Sequence, residues 1–247
     1  MLKISHLHKE YKGAEAVRDV SFEVRGGEIY GLLGPNGSGK STTLHSLVGI
    51  VRPTSGYLEV CGNPADTLEA KRLFGFVPDD LGMPETLSGG EFLTFIRRLY
   101  RAEDETRLDA LIEIFDMRGA LHKLIEEYSH GMKRKLQIVA ALAHEPRALI
   151  MDEPFRGLDP EATMNLKHLV LAERARGRAV LVATHDLLMA QHYCDRIGII
   201  SRGRVVAEGA VRELLSRFDT DSLEDVFLKA SGLIDRKNEI EQYFDYL

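Results

Sequence analysis

Short apolar runs alternate with segments of helical period along most of the chain. Leu2–Ile4 and Val17–Val24 read as strands, with the Gly26–Gly27 turn leading into a third. That third run, Glu28–Leu33, is apolar almost throughout and predicts a strand buried on both faces. Lys40–Val48 then has helical character and stops near Gly49 and Pro53. Tyr57–Val60 and Phe74–Val77 are two further strands. From Glu91 to about Ile125 the period becomes helical, with Leu108, Leu111, Ile112 and Phe115 on one face. A helix over 131–143 precedes the strand Ala148–Met151. Pro160 suits the first turn of a helix running to Ala175. Strand Ala179–Ala183, a helix near 187–194, strands Ile197–Ile200 and Val205–Ala207, and two or three closing helices complete the series. Strands separated by helices predict an α/β fold with a largely parallel sheet, after a β-rich start and around a helical insert.

Two of the predicted strand ends carry chemistry. After Leu33 comes Gly34-Pro35-Asn36-Gly37-Ser38-Gly39-Lys40-Ser41, a full match to G-x-x-x-x-G-K-[ST], followed by Thr42. Glycines let the backbone turn so that its amides approach phosphate oxygens. The following helix points its positive end at the same anion. Lys40 adds a point charge, and the Ser41 hydroxyl is a hard ligand suited to Mg²⁺. After Met151 come Asp152 and Glu153, placed at the carboxyl end of a buried strand. Asp152 suits a metal, directly or through water, and Glu153 suits a general base for an attacking water.

Composition narrows the class. The 247 residues are 44% hydrophobic and 28% charged, enough to bury a core without staples. Two distant cysteines, Cys61 and Cys194, exclude a disulfide scaffold and a cysteine zinc site. A formal net charge of −6 argues against a general nucleic-acid binder. No apolar run reaches the length of a membrane span, and the N-terminus lacks a secretory apolar stretch.

The order of short motifs resembles the ATP-binding subunit of an ABC transporter over about residues 1–230. Tyr11 precedes the phosphate loop, where the family places an aromatic under adenine. Gly34–Ser41 matches Walker A, Tyr128–Met132 the signature, and Ile150–Glu153 Walker B. Gly157–Pro160 matches the D-loop, and Ala183–Asp186 carries the switch His185. Two segments compete for the signature. Leu87–Glu91 is closer in letters, yet Ser129 opens the basic-then-apolar helix that leads directly to Asp152. Leu87–Glu91 instead reads as a helix start, with Ser88 and Glu91 forming a capping box.

The resemblance implies a P-loop NTPase fold with a mostly parallel core sheet, an N-terminal antiparallel β subdomain and a helical insert at about 85–145. It makes 1–230 the ATP-binding domain and 231–247 a short helical tail, amphipathic through Ile240, Tyr243, Phe244 and Leu247. It implies ATP as ligand and Mg²⁺ held by Ser41 and Asp152, with Asp79, which stands where the family has Gln, as a further candidate ligand. Ser129, Gly131 and Asp159 would serve an ATP shared with another subunit, either a second copy or a paralogue. The implied work is ATP hydrolysis, with Glu153, His185 and Lys40 acting on the γ-phosphate. A separate integral membrane permease would receive the motion, placing the chain at the inner face of the cell membrane. The signature variant, with His130 in place of Gly, and the closing segment Leu223–Leu228 favour export. A soluble ATPase acting on nucleic acid or ribosomes is the alternative. The single ATPase unit and the lack of sustained heptads count against it. A P-loop kinase does not account for the signature, D-loop and His185. Lys133-Arg134-Lys135 reads as a solvated helix face.

Overall fold

The computed structural model describes residues 1–80, 82–102 and 104–234. Its first sheet is antiparallel, in the order β2 (Ala14–Val24), β1 (Leu2–Tyr11), β4 (Ser55–Val60), β5 (Asn63–Pro64). Its second has the order β10 (Arg204–Ala210), β9 (Arg196–Ser201), β3 (Glu28–Leu33), β8 (Ala179–Thr184), β7 (Ala148–Asp152), β6 (Phe74–Val77). All pairs in that sheet are parallel except the β9–β10 hairpin. The α/β class expected from the alternation is the class observed.

Strand β1 runs well beyond Ile4. Its inward residues Leu2, Ile4 and Leu7 are not evenly spaced, because register shifts against β2 fall between Ile4 and Leu7 and again at Leu7–His8. His6 takes a positive φ of 50° there. A bulge breaks the period of two, so the alternation is lost from the sequence although pairing continues.

The central strands β3, β7 and β8 are buried along their whole length. Their side chains alternate between two cores. Ile29, Leu33, Leu149 and Met151 join the core beneath the helices of the insert. Tyr30, Leu32, Ala148 and Ile150 join the core against the antiparallel sheet. This two-sided burial explains why these strands read as unbroken apolar runs.

The helices are α1 (Lys40–Leu47), α2 (Leu68–Lys71), α3 (Gly89–Tyr100), α4 (Glu105–Ile114), α5 (His130–Leu142), α6 (Pro160–Ala175), α7 (Leu187–Tyr193), α8 (Val211–Arg217) and α9 (Leu223–Ser231). Helix α3 opens on the capping box: the Ser88 amide donates to Glu91 Oε2 at 2.8 Å, and the Glu91 amide to Ser88 Oγ at 3.2 Å. Leu108, Leu111, Ile112 and Phe115 are buried in the core, as their spacing predicts. Helices α3 and α4 with short 3₁₀ turns at Arg118–Ala120 and Ile125–Glu127 make up the mostly helical stretch expected from Glu91 to about Ile125. The proposed tail helix lies outside the described residues beyond Ile234.

Ion pairs tie the insert to the sheet layer. Glu173 on α6 is fully buried and takes Arg107 of α4 at 3.1 Å and Arg176 at 2.8 Å. Arg107 also donates to Leu142 O at 3.0 Å. Nearby, His144 stacks on Tyr100 with ring centroids 3.8 Å apart, and its Nε2 lies 3.0 Å from Phe74 O. Burial pushes His144 down from 6.5 to about 4.

A histidine held neutral in the fold but free to charge in the unfolded chain adds stability above pH 6.5. That stability is lost as pH falls from 6.5 to about 4. At about 1.4 kcal/mol per unit the loss across the whole window is about 3–4 kcal/mol. Urea unfolding of wild type and His144→Gln at pH 7 and pH 5 should show a smaller loss in the variant. Equal losses would remove His144 as the source.

Candidate nucleotide site

Register brings the carboxyl ends of three strands level. Leu33 of β3 pairs with Thr184 of β8, and Asp152 of β7 pairs with Ala183. The glycine-rich loop therefore leaves the sheet beside the Asp152–Glu153 pair. Gly39 needs its glycine, since it has φ 109° and an added Cβ would lie 2.8 Å from Ala16 O. Gly34 is equally tight: a Cβ there would lie 2.4 Å from Ile200 O.

Helix α1 begins at Lys40 without any side-chain cap. By contrast Ser129, Asp159 and Asp186 cap α5, α6 and α7 by accepting from amides two or three residues into each helix. The uncapped first-turn amides of α1 therefore have no side-chain acceptor and face the loop as anion donors. Lys40 is buried, with Nζ donating to Gly34 O at 2.7 Å and lying 3.9 Å from Glu153 Oε1. Burial lowers its pKa, and the charges of Glu153, Asp152 and Asp79 oppose that shift.

Asp152 is 1% exposed, and neither carboxylate oxygen has a well-formed hydrogen bond. Burial raises its pKa, the Ser41 hydroxyl beside it draws it partly back, and Asp79 and Glu153 push it up further. Ser38 Oγ is likewise buried without a partner. A buried carboxylate with two unpaired oxygens next to a serine hydroxyl is a donor set that fits a hard divalent cation.

Glu153 adopts φ 44°, a left-handed conformation rare for a residue with a Cβ. Its amide donates to Ala183 O at 2.9 Å. Its Oε2 accepts from Thr184 Oγ1 at 3.0 Å, and its Oε1 lies 2.8 Å from His185 Nδ1. The carboxylate is thus oriented from both sides while keeping its edge on the cleft.

That cleft, of about 360 Å³, is lined by Tyr11, Pro35, Asn36, Gly37, Gly39, Lys40, Ser41, Thr42, Asp79, Asp152 and Glu153, together with Ala16. Tyr11 is partly exposed at its edge, with Lys9 Nζ 4.7 Å from the ring centroid. Gly34 and Ser38 support the loop from below, and His185 joins through Glu153. Ser129, Gly131 and Asp159 are not among the lining residues. They lie instead at the starts of α5 and α6. A Cβ on Gly131 would lie 2.9 Å from Gly157 O, and Lys135 Nζ lies 2.7 Å from Asp159 Oδ2. The Asp159 carboxyl is pulled down by the Ala162 amide and by Lys135.

The ABC transporter family profile matches residues 17–156. The linearmycin resistance ATP-binding protein LnrL of Bacillus subtilis (strain 168) is 36% identical over 238 residues, 94% of this chain and 76% of that protein. The Nod factor export ATP-binding protein I of Burkholderia orbicola (strain AU 1054) is 36% identical over 226 residues, 89% of this chain and 74% of that protein. A solved ATP-binding subunit of an ABC transporter superposes with a TM-score of 0.87 at 32% identity, covering 93% of this chain and 99% of that one. A dimeric ATP-binding cassette bound to ADP and Pi shares the fold, with a TM-score of 0.78 at 24% identity.

The chain belongs to the ABC transporter family. As an ATP-binding member it is an ATPase, and the cleft is lined by residues of the glycine-rich loop and by the Asp152–Glu153 pair. Sequence reasoning missed four contributors. Thr184 was legible, being a hydroxyl between an apolar strand and His185. Ala16 lines the cleft, and no sequence signal marks it. Arg134 and Arg156 reach the cleft through Asp79. Arg134 corrects the expectation of a solvated basic face, being 1% exposed while its neighbours Lys133 and Lys135 are only partly covered.

The unpaired Asp152 carboxylate destabilises the ligand-free fold. Its folded pKa is raised, so the cost is absent below the ordinary carboxyl value of 3.8 and complete above the raised value. Asp152→Asn should therefore stabilise the ligand-free ABC ATPase by about 0.5–2 kcal/mol at pH 7, a gain that shrinks toward pH 4. It should also abolish the stabilisation by Mg²⁺ with ATP. Thermal unfolding with and without Mg²⁺–ATP reads both. A variant that is less stable at pH 7 and still protected by Mg²⁺–ATP refutes the assignment.

Proposed function

We propose that this chain pairs with a second copy or a paralogue around two ATP molecules, hydrolyses them, and drives a separate integral membrane permease in export. The observation that carries the pairing is the separation within one chain. The cleft with Lys40, Asp152 and Glu153 lacks Ser129, Gly131 and Asp159, which belong to a unit made by the starts of α5 and α6 and tied by the Gly131–Gly157 approach and the Lys135–Asp159 pair. A second chain would bring that unit to the open side of this cleft. The fold neighbour that is a dimeric cassette bound to ADP and Pi supports the arrangement.

In the proposed reaction the adenine stacks on Tyr11. The amides of Asn36–Thr42 and the Lys40 ammonium hold the β and γ phosphates. Ser41 and Asp152 would hold Mg²⁺, which supplies charge neutralisation at the phosphates. Glu153 accepts the proton of the attacking water, its carboxylate fixed by Thr184 and His185. His185 is more than half exposed, so its ring can reach the γ-phosphate while Nδ1 stays on Glu153. Ser129 and Gly131 of the second chain, at the start of its α5, donate to the same phosphate.

The export reading is supported by the printed roles of two relatives, one in linearmycin resistance and one in Nod factor export. Among the described residues no helix is long and apolar enough to cross a membrane. A separate membrane partner therefore suits the family. An apolar groove of about 370 Å³ next to the Asp79 segment supports the coupling route. Phe76, Met83, Phe92 and Ile96 line it, between the sheet edge and the insert. The proposal places the chain at the inner face of the cell membrane through that partner.

Glu153→Gln should keep Mg²⁺–ATP affinity within a few-fold and lower turnover by about 10²–10⁴-fold. It should also accumulate as an ATP-dependent dimer in size-exclusion chromatography. Unchanged turnover removes Glu153 from the mechanism. Affinity capture from detergent-extracted membranes should recover a multi-span membrane protein, and recovery of nucleic acid alone would overturn the transport reading.

A further inference from the structure

Asp79 and Asp152 both face the cleft, yet their surroundings are opposite. Asp152 has two buried oxygens without partners. Both Asp79 oxygens are taken by guanidinium groups. Oδ1 accepts from Arg134 Nη2 at 3.4 Å and from Arg156 Nη1 at 3.3 Å, and Oδ2 accepts from Arg156 Nη1 at 3.0 Å. Two cations against one carboxylate cancel the negative potential that would draw a dication.

The two arginines come from different places. Arg134 lies on α5, in the second turn after Ser129 and Gly131. It is fully enclosed, and it also donates to Pro78 O and, at 2.6 Å, to Asp79 O. It therefore clamps the segment after β6 onto α5. Arg156 lies between Glu153 and Asp159 and is exposed except for its pair with Asp79. Its amide donates to Glu153 O at 3.1 Å. A path of direct contacts therefore runs from the cleft through Asp79 to the two segments that serve the other chain's nucleotide. The Gly131–Gly157 contact and the Lys135–Asp159 pair close it on the far side.

We propose that Asp79 is a positioning residue and not a metal ligand: with Arg134 and Arg156 it forms an ionic bracket that sets the pose of the signature helix and D-loop against this chain's own cleft. The inference rests on the paired-cleft reading above. Removal of the Asp79 charge leaves Arg134 its two carbonyl acceptors and Arg156 its solvent, so Asp79→Asn folds. Arg156→Gln opens the bracket at its exposed end without touching the enclosed Arg134.

The test measures kcat, KM and the Mg²⁺ concentration for half-maximal turnover in the full chain. Asp79→Asn and Arg156→Gln should each lower kcat by about threefold or more with KM and Mg²⁺ dependence within about twofold of wild type. The double variant should be no slower than Asp79→Asn alone, because both changes open one bracket. Arg156→Lys, which keeps the charge, should recover most of the loss. The bracket is overturned if the two losses multiply, or if neither variant changes kcat. It is also overturned if Asp79→Asn raises the Mg²⁺ requirement about tenfold while Arg156→Gln does not, which is the pattern of a ligand lost. Failure here with turnover still lost in Glu153→Gln leaves the ATPase reading standing. Turnover retained in Glu153→Gln removes that reading on its own.

Discussion

The molecule depends on keeping a carboxylate buried and unpaired. Asp152 ends a strand with no solvent-facing residue, and its two oxygens face a cleft rather than a partner. Such a group opposes folding, so the rest of the frame must hold it there against that cost. The strand is fixed on one side by β6 and on the other by β8, through four and five aligned residue pairs. The same frame holds Lys40 out of water at the start of α1. Charge concentrated in a place this dry acts strongly on an incoming phosphate, since little water screens it.

Rigidity is needed on both sides of the sheet, and the two cores supply it from alternate residues of the same strands. Side chains of β3 at 29 and 33 and at 30 and 32 enter opposite cores, so tilting the strand would open both. The insert shares one of these cores and has a further tie. Glu173 of α6 is a buried carboxylate among Arg107, Arg176 and Arg178, and Asn165 of α6 donates to Ile114 O at 2.7 Å. The insert thus takes part in the apolar burial and adds a buried ionic tie to α6.

The elements legible in the sequence are those governed by one rule. β3 and α6 fall on their expected bounds, because unbroken burial and a proline at the first turn each leave a plain signal. The Ser88 capping box was readable for the same reason and separated that segment from the signature. Where two rules compete, legibility fails. The bulge at His6 hid most of β1. The two-residue strand β5 and the single-turn helix α2 are too short for a period to show. At the site, the phosphate loop and the acid pair were legible from spacing and context. The environment of Asp79 was not, since its arginines lie 55 and 77 positions away. Arg134 sits in a basic run that looks solvated, and only tertiary packing turns it inward.

The same logic explains His130, which stands where the resembling family has glycine. Glycine is required there only if a side chain would collide. Here the collision is removed at the facing position. Gly157 has φ 77°, and a Cβ on it would lie 2.4 Å from His130 Cδ2. The imidazole thus occupies the space that a side chain at 157 would need. Gly131 remains constrained, because its own Cβ would meet Gly157 O at 2.9 Å. His130 thus takes the space left open by Gly157, and the close approach at 131 is kept. His130 is therefore compatible with a working signature as long as residue 157 has no side chain.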